Sequence, residues 1–231
     1  MAMHLRREIE RLKKMVLSMS AVVEENVHRA VVAIEQRDDD LARQVIAADG
    51  EIDRTEIDVE EECLKILALH QPVAIDLRLI VAVLKINNDL ERIDDLAVNI
   101  AERALFLSHQ PRVRVPFDFP TMADKVRTML KSSLDSLVNL DAGLARTVCA
   151  SDDEVDDINR QMYDQVKQGI SEHPEAMESL IHLLSVSRHL ERIADHATNI
   201  AEDVLYMLEG EIVRHGHERY ATPDAGLRSG E

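Results

Sequence analysis

The chain reads Leu90-Glu-Arg-Ile-Asp-Asp-Leu-Ala-Val-Asn-Ile-Ala-Glu102 in its first half and Leu190-Glu-Arg-Ile-Ala-Asp-His-Ala-Thr-Asn-Ile-Ala-Glu202 in its second. Most positions of the two stretches are identical, at a constant offset of 100 residues. A weaker similarity joins residues 41–53 to residues 144–156, at an offset of 103. Self-similarity at fixed spacing indicates an internal duplication. The chain is therefore predicted to contain two homologous units.

Apolar residues outside these stretches also recur in steps of three and four, which is the spacing of an amphipathic helix. Pro72 and Pro174 interrupt the pattern at corresponding places in the two halves, and the run Asp38-Asp39-Asp40 can cap the start of a helix. Three long helices with short connections form an antiparallel bundle. The fold is therefore predicted to be all-α, with two tandem three-helix bundles and six long helices.

The boundary between the two bundles is marked by proline. Residues 108–120 contain three prolines, which prevent a helix from continuing, and their composition differs from that of the flanking segments. We therefore expect a first bundle at residues 1–107, a linker at 108–120 and a second bundle at 121–209. Glycine and proline in residues 210–231 predict a flexible C-terminal tail.

Charge and hydropathy exclude several classes of function. The net charge is −17 and the sequence pI is near 5.0, so the surface repels nucleic-acid phosphates and anionic lipid headgroups. No signal peptide is visible, and no apolar run approaches the about 20 residues needed to span a bilayer. We expect a soluble cytoplasmic protein with no nucleic-acid partner and no direct membrane insertion.

Cysteine and histidine give little sign of chemistry. Cys63 and Cys149 lie far apart and form no C-x-x-C pattern, so both are interpreted as small packing residues in a reducing compartment. His189 and His196 flank the second acidic motif but have no histidine counterparts in the first half. They are interpreted as surface or core residues, and nothing groups Ser, Cys and His around a glycine-rich elbow.

Acidic pairs at i, i+4 are the most distinctive feature of both halves. Such residues project from one face of a helix. Like charges at this spacing destabilise an isolated helix by about 0.2–0.5 kcal/mol per pair, so acidic stripes without interleaved lysine need an explanation. Glu56 and Glu60 extend the stripe on the second helix, and Asn99, Glu102, Asn199 and Glu202 are predicted to join the stripes on the third and sixth. The four pairs are Asp49 with Asp53, Glu91 with Asp95, Asp152 with Asp156, and Glu191 with Asp195.

A bound cation would explain these stripes. Carboxylates that converge from two neighbouring helices are hard oxygen ligands, suited to Mg²⁺, Mn²⁺, Ca²⁺ or iron and, less selectively, Zn²⁺. The alternative is that the carboxylates are solvated polar faces of ordinary amphipathic helices. Ile93, Leu96, Ala97 and Ile100 would form the core in either case.

Two further functional classes remain open. A carboxylate-bridged di-iron enzyme of ferritin-like type expects Glu-x-x-His on each of two helices. Glu25 and His28 are the one convincing instance, and their repeat equivalents, Thr128 and Lys131, lack both ligand types. A metal-free helical adaptor is the second alternative, and it predicts that neutralising the acidic stripes stabilises the fold by removing repulsion.

The acidic motifs and the helix pattern around them resemble the PhoU family, in which tandem three-helix bundles each carry two E(D)-x-x-x-D motifs. The resemblance runs from about Leu5 to Glu209 and includes Glu91-Arg-Ile-Asp-Asp95 and Glu191-Arg-Ile-Ala-Asp195. It implies one metal cluster on Asp49, Asp53, Glu91 and Asp95. It implies another on Asp152, Asp156, Glu191 and Asp195, with iron, zinc, manganese or magnesium as the metal.

The resemblance implies regulation rather than catalysis. Members of the family restrain the phosphate ABC transporter, with its ATPase subunit as the expected contact, and relay its state to a sensor histidine kinase. The expected outcome is negative regulation of the phosphate-starvation response. The same resemblance implies a homodimer.

Overall fold

The computed structural model of the chain describes residues 2–113 and 119–210. Within these ranges the chain forms six α-helices and a short 3-10 turn at Pro174–Ala176, without any strand. The predicted all-α fold is therefore confirmed. The helices are α1 (Ala2–Gln36), α2 (Asp39–His70), α3 (Ala74–Ser108), α4 (Phe119–Asn139), α5 (Ala142–Glu172) and α6 (Met177–Glu209).

Aspartate begins the second helix of each bundle. The Leu41 amide donates a 2.9 Å hydrogen bond to the Asp38 carboxylate, and the Leu144 amide donates a 3.0 Å bond to Asp141. Each cap satisfies an amide that has no partner inside the helix. The capping role predicted for the run at 38–40 is confirmed at Asp38, and the duplication extends to Asp141 at an offset of 103.

Proline sets the ends of several helices. Gln71, directly before Pro72, adopts a left-handed conformation with φ 45°, and it ends α2. In the second half Pro174 begins the 3-10 turn, so α6 starts at Met177 rather than at the predicted Glu175. The helix α4 begins at Phe119, two residues before the predicted Thr121, because a proline such as Pro120 is tolerated in the first turn of a helix. The central part of the predicted linker, 114–118, and the tail from 211 onward lie outside the described residues.

The core follows the apolar stripes. In α3 the side chains of Ile86, Leu90, Ile93 and Ile100 are fully buried, and both cysteines lie in the packed interior. Burial raises the pKa of each thiol to about 12, so both cysteines stay protonated and serve as packing residues.

The two bundles pack against each other mainly through α3 and α6, with α1 also contacting α4. Polar contacts cross this interface. Lys85 Nζ lies 2.7 Å from Asp203 Oδ1, and His196 Nδ1 lies 2.8 Å from Asp89 Oδ1. Because α3 pairs with α6, the acidic pairs lie on the α2 side of α3 and on the α5 side of α6. The acidic side chains along one helix are called an acidic ladder below.

Candidate metal centres

The first acidic cluster lies between α2 and α3. Burial raises the pKa of Asp49, and the charges of Asp53 on its own helix and Asp95 on α3 raise it further. Burial raises the pKa of Glu91, and the charges of Asp95 and of α2 carboxylates that include Asp53 raise it further. The charge of Arg92 lowers it. The sequence-predicted residues of the first half are therefore brought together on facing helices.

The second acidic cluster repeats this arrangement between α5 and α6. Burial, together with the charges of Glu191, Asp152 and Asp156, raises the pKa of Asp195 to about 6. Burial raises the pKa of Glu191 as well, and Asp156 is the largest charge acting on it. Thr198 Oγ1 donates a 3.2 Å hydrogen bond to Asp152 Oδ1, which links the α5 ladder to α6. Both halves thus place four predicted carboxylates within electrostatic reach of one another.

Arginine side chains pair with carboxylates of both clusters. Arg92 Nε lies 3.3 Å from Glu91 Oε2, and an Arg92 guanidinium nitrogen lies 3.5 Å from Asp95 Oδ2. In the second half Arg160 lies 3.8 Å from Asp156. Across residues 2–113 and 119–210, no group of three or more His, Cys, Asp or Glu side chains is arranged to hold a metal ion. A cation would therefore require the carboxylates to rotate towards each other and Arg92 to leave.

The donor set nevertheless fits a hard cation. All eight predicted side chains are carboxylates, which supply the oxygen ligands preferred by Mg²⁺, Mn²⁺ and iron. Helix backbones fix the positions of the Cβ atoms, while the flexible parts are side-chain torsions. Burial raises the pKa values of Asp49, Glu91, Glu191 and Asp195, and the charges of neighbouring carboxylates raise them further.

Sequence reasoning missed a buried carboxylate beside the first cluster. Asp94 is 1% exposed, and its Oδ1 accepts a 2.8 Å hydrogen bond from Asn26 Nδ2 on α1. Burial raises the pKa of Asp94 to about 6, the Asn26 hydrogen bond lowers it, and the charges of Asp49, Asp95 and Asp53 raise it. Comparison of the two repeats could have revealed Asp94, because the second half has Ala194 at this core-facing position.

One expectation about a neighbouring residue needs correction. Asn199 was expected to join the second acidic stripe, but its Nδ2 lies 3.4 Å from Asp89 Oδ1 on α3 and so faces the other bundle. His196 also bonds to Asp89, which gives it a role in packing the bundles together. Both residues face the other bundle because α6 presents one side to α5 and another to α3.

The Glu-x-x-His motif of α1 lies away from both clusters. Glu25 pairs with Arg29 at 2.7 Å, and both Glu25 and His28 line a groove between α1 and α4. Arg127 and Lys131 of α4 line the same groove. Cations opposite the motif do not suit a second metal, so this surface gives no support to a ferritin-like di-iron centre.

The fold and the paired clusters define a class: a duplicated, all-helical protein with an acidic ladder pair in each half. None of the helices in the described parts of the chain has an apolar stretch long enough to cross a bilayer. A family model described as "PhoU domain" matches residues 16–104 and again residues 119–204. The chain therefore belongs to the PhoU family.

Individual relatives agree over nearly the whole chain. A "phosphate-specific transport system accessory protein PhoU homolog" from Aquifex aeolicus is 40% identical over 215 residues, covering 93% of this chain and 97% of the relative. A protein with the same name from Pseudomonas putida is 38% identical, covering 90% of this chain and 82% of its own length.

Solved structures give the same result. The crystal structure of PhoU from Pseudomonas aeruginosa superimposes with a TM-score of 0.86 at 36% identity, covering 89% of this chain and 99% of that one. The phosphate transport system regulatory protein PhoU from Streptococcus pneumoniae gives a TM-score of 0.81 at 26% identity, covering 90% of this chain and 99% of that one.

Proposed function

We propose that this chain is a metal-binding, non-enzymatic accessory regulator of phosphate transport. One observation supports the proposal: the carboxylates of α2 lie near those of α3, and the carboxylates of α5 lie near those of α6 in the same way. Relatives that align over nearly their full length are named as accessory proteins of a phosphate-specific transport system. The proposed site residues are therefore ligands, not catalysts.

Iron, zinc, manganese or magnesium would be held by carboxylates of both helices in each half. A divalent cation supplies positive charge that neutralises the repulsion between the two ladders. Asp49 and Asp53 would approach Glu91 and Asp95 in the first half, and Arg92 would be displaced. The metal would thereby tie α2 to α3 and change the charge that this face presents to a protein partner.

Regulation would then act through protein contacts on the cytoplasmic side. The proposed partners are the ATPase subunit of the phosphate ABC transporter, which the protein restrains, and a sensor histidine kinase that receives the state of the transporter. Negative regulation of phosphate-starvation genes follows from that signal. Because the chain carries a net charge of −17, attraction to an anionic membrane does not explain its recruitment, and a protein contact is required. A homodimer is part of the proposal.

Metal content tests the ligand assignment directly. We expect purified wild-type protein, loaded with Mn²⁺ and desalted, to retain more metal by elemental analysis than a variant carrying Glu91→Ala, Asp95→Ala, Glu191→Ala and Asp195→Ala. The variant removes half of each carboxylate set, so the remaining ligands are too few for tight binding. The loss is expected in both halves because each half loses two of its four predicted ligands.

The matched control removes the same number of charges from exposed positions. It carries Asp58→Ala, Glu61→Ala, Asp164→Ala and Glu178→Ala, all at solvent-exposed side chains. Its metal content should equal that of the wild type. Equal metal in all three proteins would remove the metal proposal and favour the metal-free adaptor, which also predicts greater stability for the ladder variant.

Partner binding tests the regulatory part separately. We expect the purified ATPase subunit of the phosphate transporter to bind the wild-type chain with measurable heat in a calorimetric titration. If the metal organises the docking face, the ladder variant should bind at least about tenfold more weakly, a change of about 1.4 kcal/mol. The exposed-charge control should bind like the wild type. An ATPase subunit that binds none of the three proteins would contradict the proposed transporter contact.

A further inference from the structure

The two acidic clusters differ in one buried pair of residues. Asp94 and Asn26 face each other in the core of the first bundle, and both are almost completely buried. At the offsets of the repeat, their counterparts are Ala194 and Met129, which are buried as well. The first half therefore has a polar pair where the second half has an apolar pair.

Asn26 satisfies only half of the Asp94 carboxylate. Its Nδ2 donates to Asp94 Oδ1 at 2.8 Å, whereas Asp94 Oδ2 is buried and has no hydrogen-bond partner within residues 2–113 and 119–210. A buried polar oxygen without a hydrogen-bond partner destabilises the fold. Nothing in the duplicated fold requires this cost, because Ala194 fills the same position without any polar atom.

Asp94 is a neighbour of the first acidic cluster. Asp94 is adjacent to Asp95 on α3, and its carboxylate is close enough to Asp49 and Asp53 of α2 for their charges to act on it. The charges of three carboxylates therefore act on Asp94, and one amide donates a hydrogen bond to it. A cation is the partner that would satisfy the free oxygen and relieve the repulsion from its neighbours together.

We propose that Asp94 is an additional carboxylate ligand of the first metal centre, oriented by Asn26, and that the two centres of this chain are therefore not equivalent. The inference rests on the proposed metal-binding function. Asn26 fixes one oxygen of Asp94, as hydrogen-bonded neighbours of metal ligands commonly do. The first centre would bind a divalent cation such as Mn²⁺ more tightly than the second, which has Ala194 at the equivalent position.

Isolating each centre makes the difference measurable. In a background with Asp152→Asn and Asp156→Asn, Mn²⁺ can occupy the first centre alone; in a background with Asp49→Asn and Asp53→Asn, it can occupy the second. Free Mn²⁺ is followed by electron paramagnetic resonance during the titration. We expect Asp94→Asn to weaken Mn²⁺ binding at least about tenfold in the first background and to leave binding unchanged in the second.

A second variant guards against a simple folding defect. Asn26→Met with Asp94→Ala installs in the first bundle the apolar residues that occupy the equivalent buried positions of the second bundle, so its helical content by circular dichroism should match the wild type. Its first centre should bind Mn²⁺ with the affinity of the second. Asp94→Glu keeps a carboxylate, so its first centre should bind Mn²⁺ more tightly than that of Asp94→Asn.

The outcomes separate the two proposals. Unchanged Mn²⁺ affinity in Asp94→Asn and in the double variant, with binding intact in the first background, would overturn the role of Asp94 alone. Absence of Mn²⁺ binding in the wild type and both backgrounds would overturn the metal function itself, and this inference with it. A tenfold loss confined to the first centre would support both.

Discussion

We expect the Asp94→Asn variant, kept metal-free with EDTA, to be more stable to urea than the wild type by about 2–3 kcal/mol at pH 7. Burial raises the pKa of Asp94 from 3.8 to about 6, and the charges of Asp49, Asp95 and Asp53 contribute to the increase against the Asn26 hydrogen bond. The folded chain therefore binds this proton more tightly than the unfolded chain. The resulting stability is fully present below about pH 4 and is lost as the pH rises through about 6.

Because the pKa of Asp94 is raised, the stability difference between the variant and the wild type should depend on pH. Asparagine carries no charge, so the advantage of Asp94→Asn should disappear as the pH falls from 7 to about 4, where the wild-type carboxyl is protonated. Urea unfolding followed by far-ultraviolet circular dichroism at the two pH values measures the difference. The exposed replacement Asp58→Asn is the control and should show no comparable change. An advantage of the same size at both pH values would show that charge at Asp94 is not its cause.

The helices and their core faces could be predicted from the sequence because they depend on local patterns. Apolar spacing placed Ile86, Leu90, Ile93 and Ile100 on one side of α3, and all four are fully buried. The cap at Asp38 is local as well, since the carboxylate bonds to the amide of Leu41 three residues later. Such features need no knowledge of how distant segments meet.

The repeat and the bundle topology predict that the acidic ladders lie on facing helices. They do not predict how the individual side chains are oriented. Consecutive antiparallel helices bring α2 beside α3, so Asp49 and Asp95 approach each other. Whether carboxylates converge or spread depends on the nearest cations, and here Arg92 lies between Glu91 and Asp95. Helical spacing cannot specify those torsions, because they respond to charge rather than to the backbone.

Contacts between the bundles could not be predicted because the register of α3 against α6 is not local. Asn199 was expected to join the acidic stripe of α6, yet both Asn199 and the neighbouring His196 reach Asp89 in the other bundle. Lys85 meets Asp203 across the same interface. A duplicated sequence indicates which residues are equivalent, but it does not indicate which side of each copy is used for joining the copies.

The apolar side of α3 supports the acidic side, and this yields the second large expected effect. We expect Ile93→Ala to lower the free energy of unfolding by about 2–5 kcal/mol, because Ile93 is fully buried and its truncation leaves a cavity in a close-packed core. Ile193 is equally buried at the repeat position, so Ile193→Ala should cost a similar amount. Ile57→Ala is the matched control, since Ile57 is 52% exposed and should change stability by less than about 0.5 kcal/mol. Urea unfolding at pH 7 measures all three, and a loss at Ile93 no larger than at Ile57 would contradict close packing around Ile93.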